Sequence, residues 1–440
     1  MIDMTKWPAG GALIATAGAL LALCGLPAHA QTPTQGTDTS AAAPNQAPSP
    51  YYLGASQGLI HDSNVYRIPS GPSDNYSSTS LLGGFEQRLS RQRVFGTASV
   101  SLNRYQDQTQ LNSTSYDFAA GLDWETLYNL SGSVNATLGQ HLAAPTANVA
   151  LPRATRNLAR LQGVNGVARW GGVSTFTLEG TLGYSSLDYS APEYVTSESK
   201  QEYGSLGVYY RPSPLLRLGV AARLDRTRTP QAFQQADGSF LPNQVNGRHL
   251  DLLADYELSG GVTANGRLSY TRQTNSNPGQ PDFSGITGEL RVSYRPTAKI
   301  GLSAFAARQA GFDANRTGIV PATGSAPATT PISGLYENNR VTNSFSLAAT
   351  YAATAKINAN AGLSYARARL VSTLSTGSGA VAAPEILDVS RGVTLGASYA
   401  IARPVLLACN LGHEKRYVVG TVAYAYEANS VSCSAQFTWR

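Results

Sequence analysis

From Tyr51 to Arg440 the chain is written in short stretches in which one parity is apolar and the other is polar or glycine. In the last of them Val431, Cys433, Ala435, Phe437 and Trp439 alternate with Ser432, Ser434, Gln436 and Thr438. Val134, Ala136 and Leu138 alternate in the same way with Ser133, Asn135 and Thr137, and Phe176, Leu178 and Leu182 with Thr175, Thr177, Glu179 and Thr181. Leu216, Leu218, Val220, Ala222 and Leu224 stand against Arg217, Gly219, Arg223 and Asp225, and Leu250, Leu252, Ala254 and Tyr256 against Asp251 and Asp255. Successive strand side chains point to opposite faces, so a period of two predicts strands with one greasy and one wet side.

About eighteen such segments are predicted, over 51–60, 79–90, 93–106, 112–125, 129–141, 157–170, 173–187, 200–211, 215–228, 247–258, 262–273, 284–295, 299–310, 341–352, 356–370, 387–400, 404–417 and 426–440. Each approaches or exceeds the roughly 9 to 11 residues that a tilted membrane strand needs. The links alternate in length. Tight ones at 90–92, 125–128, 212–214, 260–261, 296–298, 353–355 and 403 are interleaved with long polar ones at 61–78, 142–156, 229–247, 312–340 and 371–385. An antiparallel up-and-down barrel with short periplasmic turns and long extracellular loops predicts this alternation, and an even strand count puts both termini in the periplasm.

Aromatic residues fall where the membrane interfaces belong. Toward the short turns the outward parity ends in Trp124, Tyr210, Tyr256, Tyr294, Tyr351, Tyr399 and Trp439, and toward the long loops in Tyr184, Tyr270 and Tyr365. These make two girdles. A soluble β-sandwich or propeller also alternates, but its outer face would carry Lys and Glu. The polar parity here is Ser, Thr, Asn, Gly and Arg, which suits a water-filled lumen. Phe437 and Trp439 near the end resemble the recognition signal of barrels inserted into outer membranes, with Arg440 standing where an aromatic last residue is usual.

Composition sharpens this picture. Only 14% of residues are charged, against about 25% in soluble domains, and 43 are Gly. Five Lys stand against 28 Arg, the net charge is +6, and three Cys exclude a disulfide-rich scaffold. The one long apolar run lies in the first thirty residues, which excludes a bundle of membrane-spanning helices. There Lys6, the apolar stretch Gly10 to Leu26 and Ala28-His29-Ala30 predict a signal peptide over 1–30, cleaved before Gln31. A lipoprotein signal at Cys24 would need a small residue before the cysteine, and Leu23 is bulky. Residues 31–50, dense in Pro, Ala, Ser and Gln, predict a disordered periplasmic leader, which leaves 51–440 as the barrel.

Candidate chemistry is sparse. His61, His141, His249 and His413 fall on loops or strand ends without metal spacing, and no nucleophile elbow, phosphate-binding loop, dinucleotide fingerprint or zinc-protease motif occurs. No enzyme activity, cofactor, metal or nucleic-acid partner is expected. On strands rising to the long loops the outward parity ends in Arg104, Arg226, Arg272, Arg308 and Arg367, placed either to fork onto lipopolysaccharide phosphates or simply to snorkel at the interface. Arg217, Arg223, Asp225, Asp251, Asp255, Glu257, Arg267, Glu289, Arg291 and Arg295 share the inward parity of consecutive strands, either as a salt-bridge ladder or as the lining of a mixed-charge conduit. The loop 312–340 is a candidate constriction or a surface loop. Cys409 and Cys433 lie symmetrically about residue 421 on the apolar parity of adjacent strands, where they could form a cross-strand disulfide or remain free thiols.

His61-Asp62-Ser63-Asn64-Val65-Tyr66-Arg67 resembles the Asp-x-Asn-aliphatic-aromatic-Arg stretch near the start of β-barrel porin family 2 proteins, above all the branch associated with exopolysaccharide biosynthesis operons. The likeness extends in layout from Tyr51 to Arg440. It implies an outer-membrane barrel in export or assembly of an extracellular polysaccharide, inserted by the barrel-assembly machinery and served by periplasmic export proteins. The rival expectation is a general or substrate-specific diffusion porin for small hydrophilic solutes. A third is a structural barrel whose lumen is plugged.

Overall fold

The computed structural model describes residues 50–143, 156–171, 174–234, 238–258, 261–276, 282–310, 340–370, 373–376, 379–382, 386–419 and 425–439. The signal peptide predicted over 1–30 and, apart from Pro50, the leader predicted over 31–50 lie outside the described residues, as does almost all of the 312–340 loop.

Eighteen antiparallel strands form one sheet. In chain order they are β1 (Tyr51–Asp62), β2 (Asp74–Leu89), β3 (Gln92–Tyr105), β4 (Ser113–Glu125), β5 (Leu130–Leu142), β6 (Leu158–Trp170), β7 (Phe176–Tyr189), β8 (Ser199–Ser213) and β9 (Leu216–Gln234), followed by β10 (Phe240–Leu258), β11 (Val262–Asn275), β12 (Phe283–Thr297), β13 (Ile300–Ala310), β14 (Arg340–Ala352) and β15 (Ile357–Leu370). After a small separate hairpin, β16 (Thr373–Thr376) and β17 (Gly379–Ala382), come β18 (Ile386–Ala402), β19 (Val405–Val419) and β20 (Tyr426–Trp439). Each of the eighteen pairs with its neighbour in sequence along the barrel, and β1 also pairs with β20 from Leu53↔Trp439 to Asp62↔Ser430. The sheet is therefore a closed barrel.

Closure and burial together place the chain in a membrane. The outward parity is an apolar belt in which Leu59, Leu81, Leu182, Leu206, Leu224, Leu250 and Ile286 are all exposed. Among the described residues no helix is long and apolar enough to cross a bilayer, so the crossing is made by strands. A closed barrel is the one sheet form whose backbone groups are all paired in hydrocarbon, and short turns at the end that bears both termini mark that end as periplasmic. This is an outer-membrane β-barrel.

The girdles sit on the outward face. Tyr210, Tyr256, Tyr294, Tyr351, Tyr399 and Trp439 ring the periplasmic end, and Tyr184, Tyr270 and Tyr365 the extracellular end, all exposed. Trp170 and Phe176 add to the lower girdle, with Phe176 and Tyr210 rings 5.1 Å apart across β7 and β8. On the same outer face the small residues Gly83, Gly96, Ala98, Ala120 and Ala136 leave a lipid-facing groove of about 510 Å³, walled by Phe85, Phe118 and Leu138. The tight turns carry the residues their backbones demand. Gly261, at φ +85°, opens β11 where a Cβ would lie 2.8 Å from the Arg295 carbonyl oxygen, and Asn129 holds a left-handed position at φ 57° before β5.

Two expectations are corrected. The residues 229–247 are largely not loop. β9 and β10 are 19 residues each and stay paired to Gln234 and Phe240, with a register shift between Leu241 and Asn243. Pro230 and Pro242 mimic a loop in the sequence, and the shift lets prolines that cannot donate to the ladder sit in it. His413 stands in the middle of β19, opposite Val393 and Asn429, and His249 is likewise neither in a loop nor at a strand end. It is buried in the middle of β10.

Cys409 and Cys433 stand directly opposite one another on β19 and β20, on the lipid-facing parity, and are joined by a disulfide with Cα atoms 4.1 Å apart.

The inside-outside assignment is testable at neighbouring residues of β4. Asp117 faces the lumen with its side chain 60% exposed, and Phe118 faces lipid. A cysteine from D117C should react with a membrane-impermeant maleimide in intact membranes and one from F118C should not; reactivity in the opposite order would invert the barrel.

Candidate functional site

The lumen has two unlike walls. From β13 through β20 and β1 to β5 the inward parity is mainly small and hydroxylic, as in Ser344, Ser346, Ser432, Ser434, Ser56, Ser80 and Ser101. From β6 to β12 it carries charge. Antiparallel pairing sets inward residues of neighbouring strands opposite or diagonal to one another, within reach of long polar side chains.

The lower part of the charged wall is built around Glu179 on β7, whose side chain is 2% exposed. It accepts from Arg169 Nε of β6 at 2.7 Å, Arg217 Nη2 of β9 at 3.0 Å and the Tyr209 hydroxyl of β8 at 3.2 Å. Arg217 also lies 3.4 Å from Asp255 of β10 and stacks 3.7 Å from the centre of the Tyr209 ring. Higher up, Asp251 of β10 accepts from Arg223 Nε at 3.0 Å and lies 4.0 Å from Arg267 of β11, which reaches Glu289 of β12 at 3.2 Å. Above these, His249 meets Asp225 through Nε2 and Thr271 through Nδ1, and Thr271 meets Thr287 at 2.6 Å. The ring nitrogens thus join a polar chain running over β9 to β12. The structure brings Arg217, Arg223, Asp225, Asp251, Asp255, Arg267 and Glu289 together in this wall. Glu257, Arg291 and Arg295 share the inward parity but lie exposed toward the periplasmic mouth, Arg291 5.5 Å from the Phe305 ring, and join no ion pair among the described residues. Glu179, Arg169 and Tyr209 are the members that the sequence reading passed over, although all three share the inward parity.

At the extracellular mouth two loops fold inward. The 3-10 turn Pro192–Ser197 between β7 and β8 packs on β9 as well as on β7, with Tyr194 buried against Tyr189 at 5.6 Å and the Ala191 N–H bonded to Asn157 Oδ1 at 3.1 Å. On β9 the inward Thr227 and Thr229 are buried while the outward Arg226 and Arg228 are exposed, so this turn narrows the lumen from the charged side.

The loop 63–73 does the same at the barrel seam. Asp62 Oδ1 takes the Asn64 N–H at 2.9 Å and Arg67 Nη1 at 2.8 Å. Arg67 also lies 3.4 Å from Glu414 of β19, which accepts the Tyr426 hydroxyl of β20. Asn64 Nδ2 donates to the Ile68 and Glu427 carbonyl oxygens at 2.7 and 3.1 Å. The Tyr66 hydroxyl donates to Gln108 Oε1 at 2.7 Å. Burial works against the charge on Arg67, but Asp62 and Glu414 beside it hold the guanidinium above its ordinary range, and burial pushes the Tyr66 phenol up. Every polar member of Asp62-Ser63-Asn64-Val65-Tyr66-Arg67 is engaged in pinning this loop: Ser63 Oγ takes the Asn429 N–H at 2.8 Å. Beside it Arg416 forks onto Asp388 at 2.5 and 2.9 Å.

The five outward arginines do not form one site. Arg226 and Arg272 lie among other cations on β8 to β11. Arg308 Nη1 bonds Asn343 Oδ1 at 3.1 Å, with Arg367 opposite the same Asn343, and Arg104 stands on β3. Among the described residues no group of three or more His, Cys, Asp or Glu could hold a metal.

No protein-family model matches the chain, and no curated protein does. Solved structures similar to it include the outer membrane protein OpdK from Pseudomonas aeruginosa, at 12% identity and TM-score 0.45 over 88% of this chain and 99% of that one. OccAB4 from Acinetobacter baumannii is similar at 11% identity and TM-score 0.44 over 90% and 100%, and the siderophore receptor PiuA from the same organism at 8% and 0.40 over 90% and 82%.

Asn64→Ala removes two donated hydrogen bonds and should free the 63–73 loop at a cost of about 2 kcal/mol. Protease added to whole cells should then cut within 63–73 in the variant and not in the parent; equal resistance would show that the loop is held elsewhere.

Proposed function

We propose that the chain is a passive outer-membrane channel for small hydrophilic solutes, with a lumen whose charges are balanced within its own wall. The observation that carries this reading is the consumption of lumen guanidinium groups by lumen carboxylates. Arg169, Arg217, Arg223 and Arg267 meet Glu179, Asp255, Asp251 and Glu289, and Arg93 meets Glu86 and Asp123 at 2.8 and 3.1 Å on the opposite wall. A wall of this kind offers a solute fixed hydrogen-bonding groups at little net field, which suits neutral and zwitterionic molecules. The inward turn at 192–197 narrows the passage and favours small ones.

Polysaccharide export is the weaker reading. It rests on the likeness of the Asp62–Arg67 stretch, whose side chains are occupied in pinning a loop to the barrel seam. A conduit for polyanions would present unpaired cations along its length, and in the charged wall the buried cations are paired, with Arg291 and Arg295 near the periplasmic mouth outside those pairs.

Proteoliposome swelling tests the reading. Small neutral sugars and zwitterionic amino acids should enter at rates that fall steeply with solute size, and E179Q/D251N should change the ranking of charged solutes without closing the channel. No swelling with any small solute would exclude a diffusion channel.

A further inference from the structure

The outer wall holds a feature that neither pore nor belt requires. Arg248 on β10 and Arg272 on β11 are directly opposite one another in the ladder, both exposed on the lipid-facing parity. Directly opposed side chains start about 5 Å apart, and like charges there destabilise the sheet. The surroundings add to the positive charge. Arg226 lies one step above on β9 opposite Asn246, and Arg228 is opposite Lys200 of β8. All five cations are exposed, and none has an ion-pair partner among the described residues. Neither nearby outward carboxylate stands opposite Arg248 or Arg272. Glu202 faces Arg226 across β8 and β9, and Asp282 takes the Asn275 N–H at 2.9 Å.

Height identifies what meets the pair. From Val262 at the foot of β11 to Arg272 the strand climbs about 25 Å along the membrane normal, at roughly 3.3 Å per residue and a tilt near 40°, which is the full height of an apolar belt. Below Arg248 and Arg272 lie Leu250 and Tyr270, opposed to one another and exposed. The guanidinium groups are therefore level with the extracellular headgroups, directly above acyl chains. An arginine fork donates two parallel N–H bonds to a phosphate, and one phosphate between two opposed forks turns the repulsion into attraction.

We infer that Arg248 and Arg272, supported by Arg226, Arg228 and Lys200, form a binding site for a phosphate of the outer-leaflet glycolipid, lipopolysaccharide. The acyl chains of the lipid lie on Leu250 and Tyr270. The site is independent of what passes through the lumen.

The test compares thermal stability of the folded protein in neutral detergent with added lipopolysaccharide, enzymatically dephosphorylated lipopolysaccharide, or phosphatidylglycerol. Phosphorylated lipopolysaccharide alone should raise the unfolding temperature. R248Q/R272Q should stay folded in detergent and lose about tenfold or more in apparent affinity, while R104Q keeps it. R248E, which sets a carboxylate opposite Arg272, should be as stable as the parent in detergent and lose the response. The inference is overturned if dephosphorylated lipopolysaccharide or phosphatidylglycerol stabilises equally, or if R248Q/R272Q or R248E responds like the parent.

Discussion

Hydrocarbon leaves a backbone N–H or C=O nowhere to bond except to another strand, and the meeting of β1 with β20 is what satisfies that demand. An open eighteen-stranded sheet would expose two edges to lipid at several kcal/mol for each unpaired group. Much else in the molecule follows from this closure. It forces strict alternation between lipid and lumen, and it brings the first extracellular loop beside the last two strands. There Arg67 meets Glu414 and Asn64 reaches the Glu427 carbonyl, so the stretch that most resembles a family motif serves the seam.

The same alternation separates charge by solvent. A chain with net charge +6 suggests a basic lumen, yet the buried charges in the wall of β6 to β12 neutralise one another pair by pair, which leaves Arg291 and Arg295 near the periplasmic mouth. The unpaired cations gather instead on the outer rim of β8 to β11, at the height of anionic headgroups. The two placements have different energetics. A carboxylate such as Glu179, almost wholly buried, is held by charged partners, and breaking such a pair costs about 3–5 kcal/mol. An exposed arginine at the interface carries little penalty and waits for a mobile partner.

Most of the strand plan was legible because lipid and water impose opposite demands on adjacent residues. The symmetry of Cys409 and Cys433 about residue 421 allowed a cross-strand pairing, and the ladder sets the two opposite one another. The failures have definite causes. Pro230 and Pro242 disguised the upper thirds of β9 and β10 as loop; Arg228 and Arg248 lay within the predicted strands on the outward parity and were still not singled out. Parity placed Arg223 and Asp251 on the lumen side, but which charges meet depends on the shear between strands, and Glu179 gathers Arg169 and Arg217 only through registers the sequence does not state. The inward fold of 192–197 left no periodic trace, because a short turn has none to leave.

Balance of lumen charge within the wall sets how the channel treats ions. Its most direct measurement is the reversal potential of single channels in a planar bilayer under a potassium chloride gradient, for the parent and for E179Q/D251N. Weak ion selectivity is expected in the parent, and a clear shift toward anions when those two carboxylates are neutralised, because Arg169 and Arg223 lose their closest carboxylates while Arg217 retains Asp255 and Arg267 retains Glu289. A parent channel already strongly anion-selective, or a reversal potential unmoved by the substitutions, would contradict it.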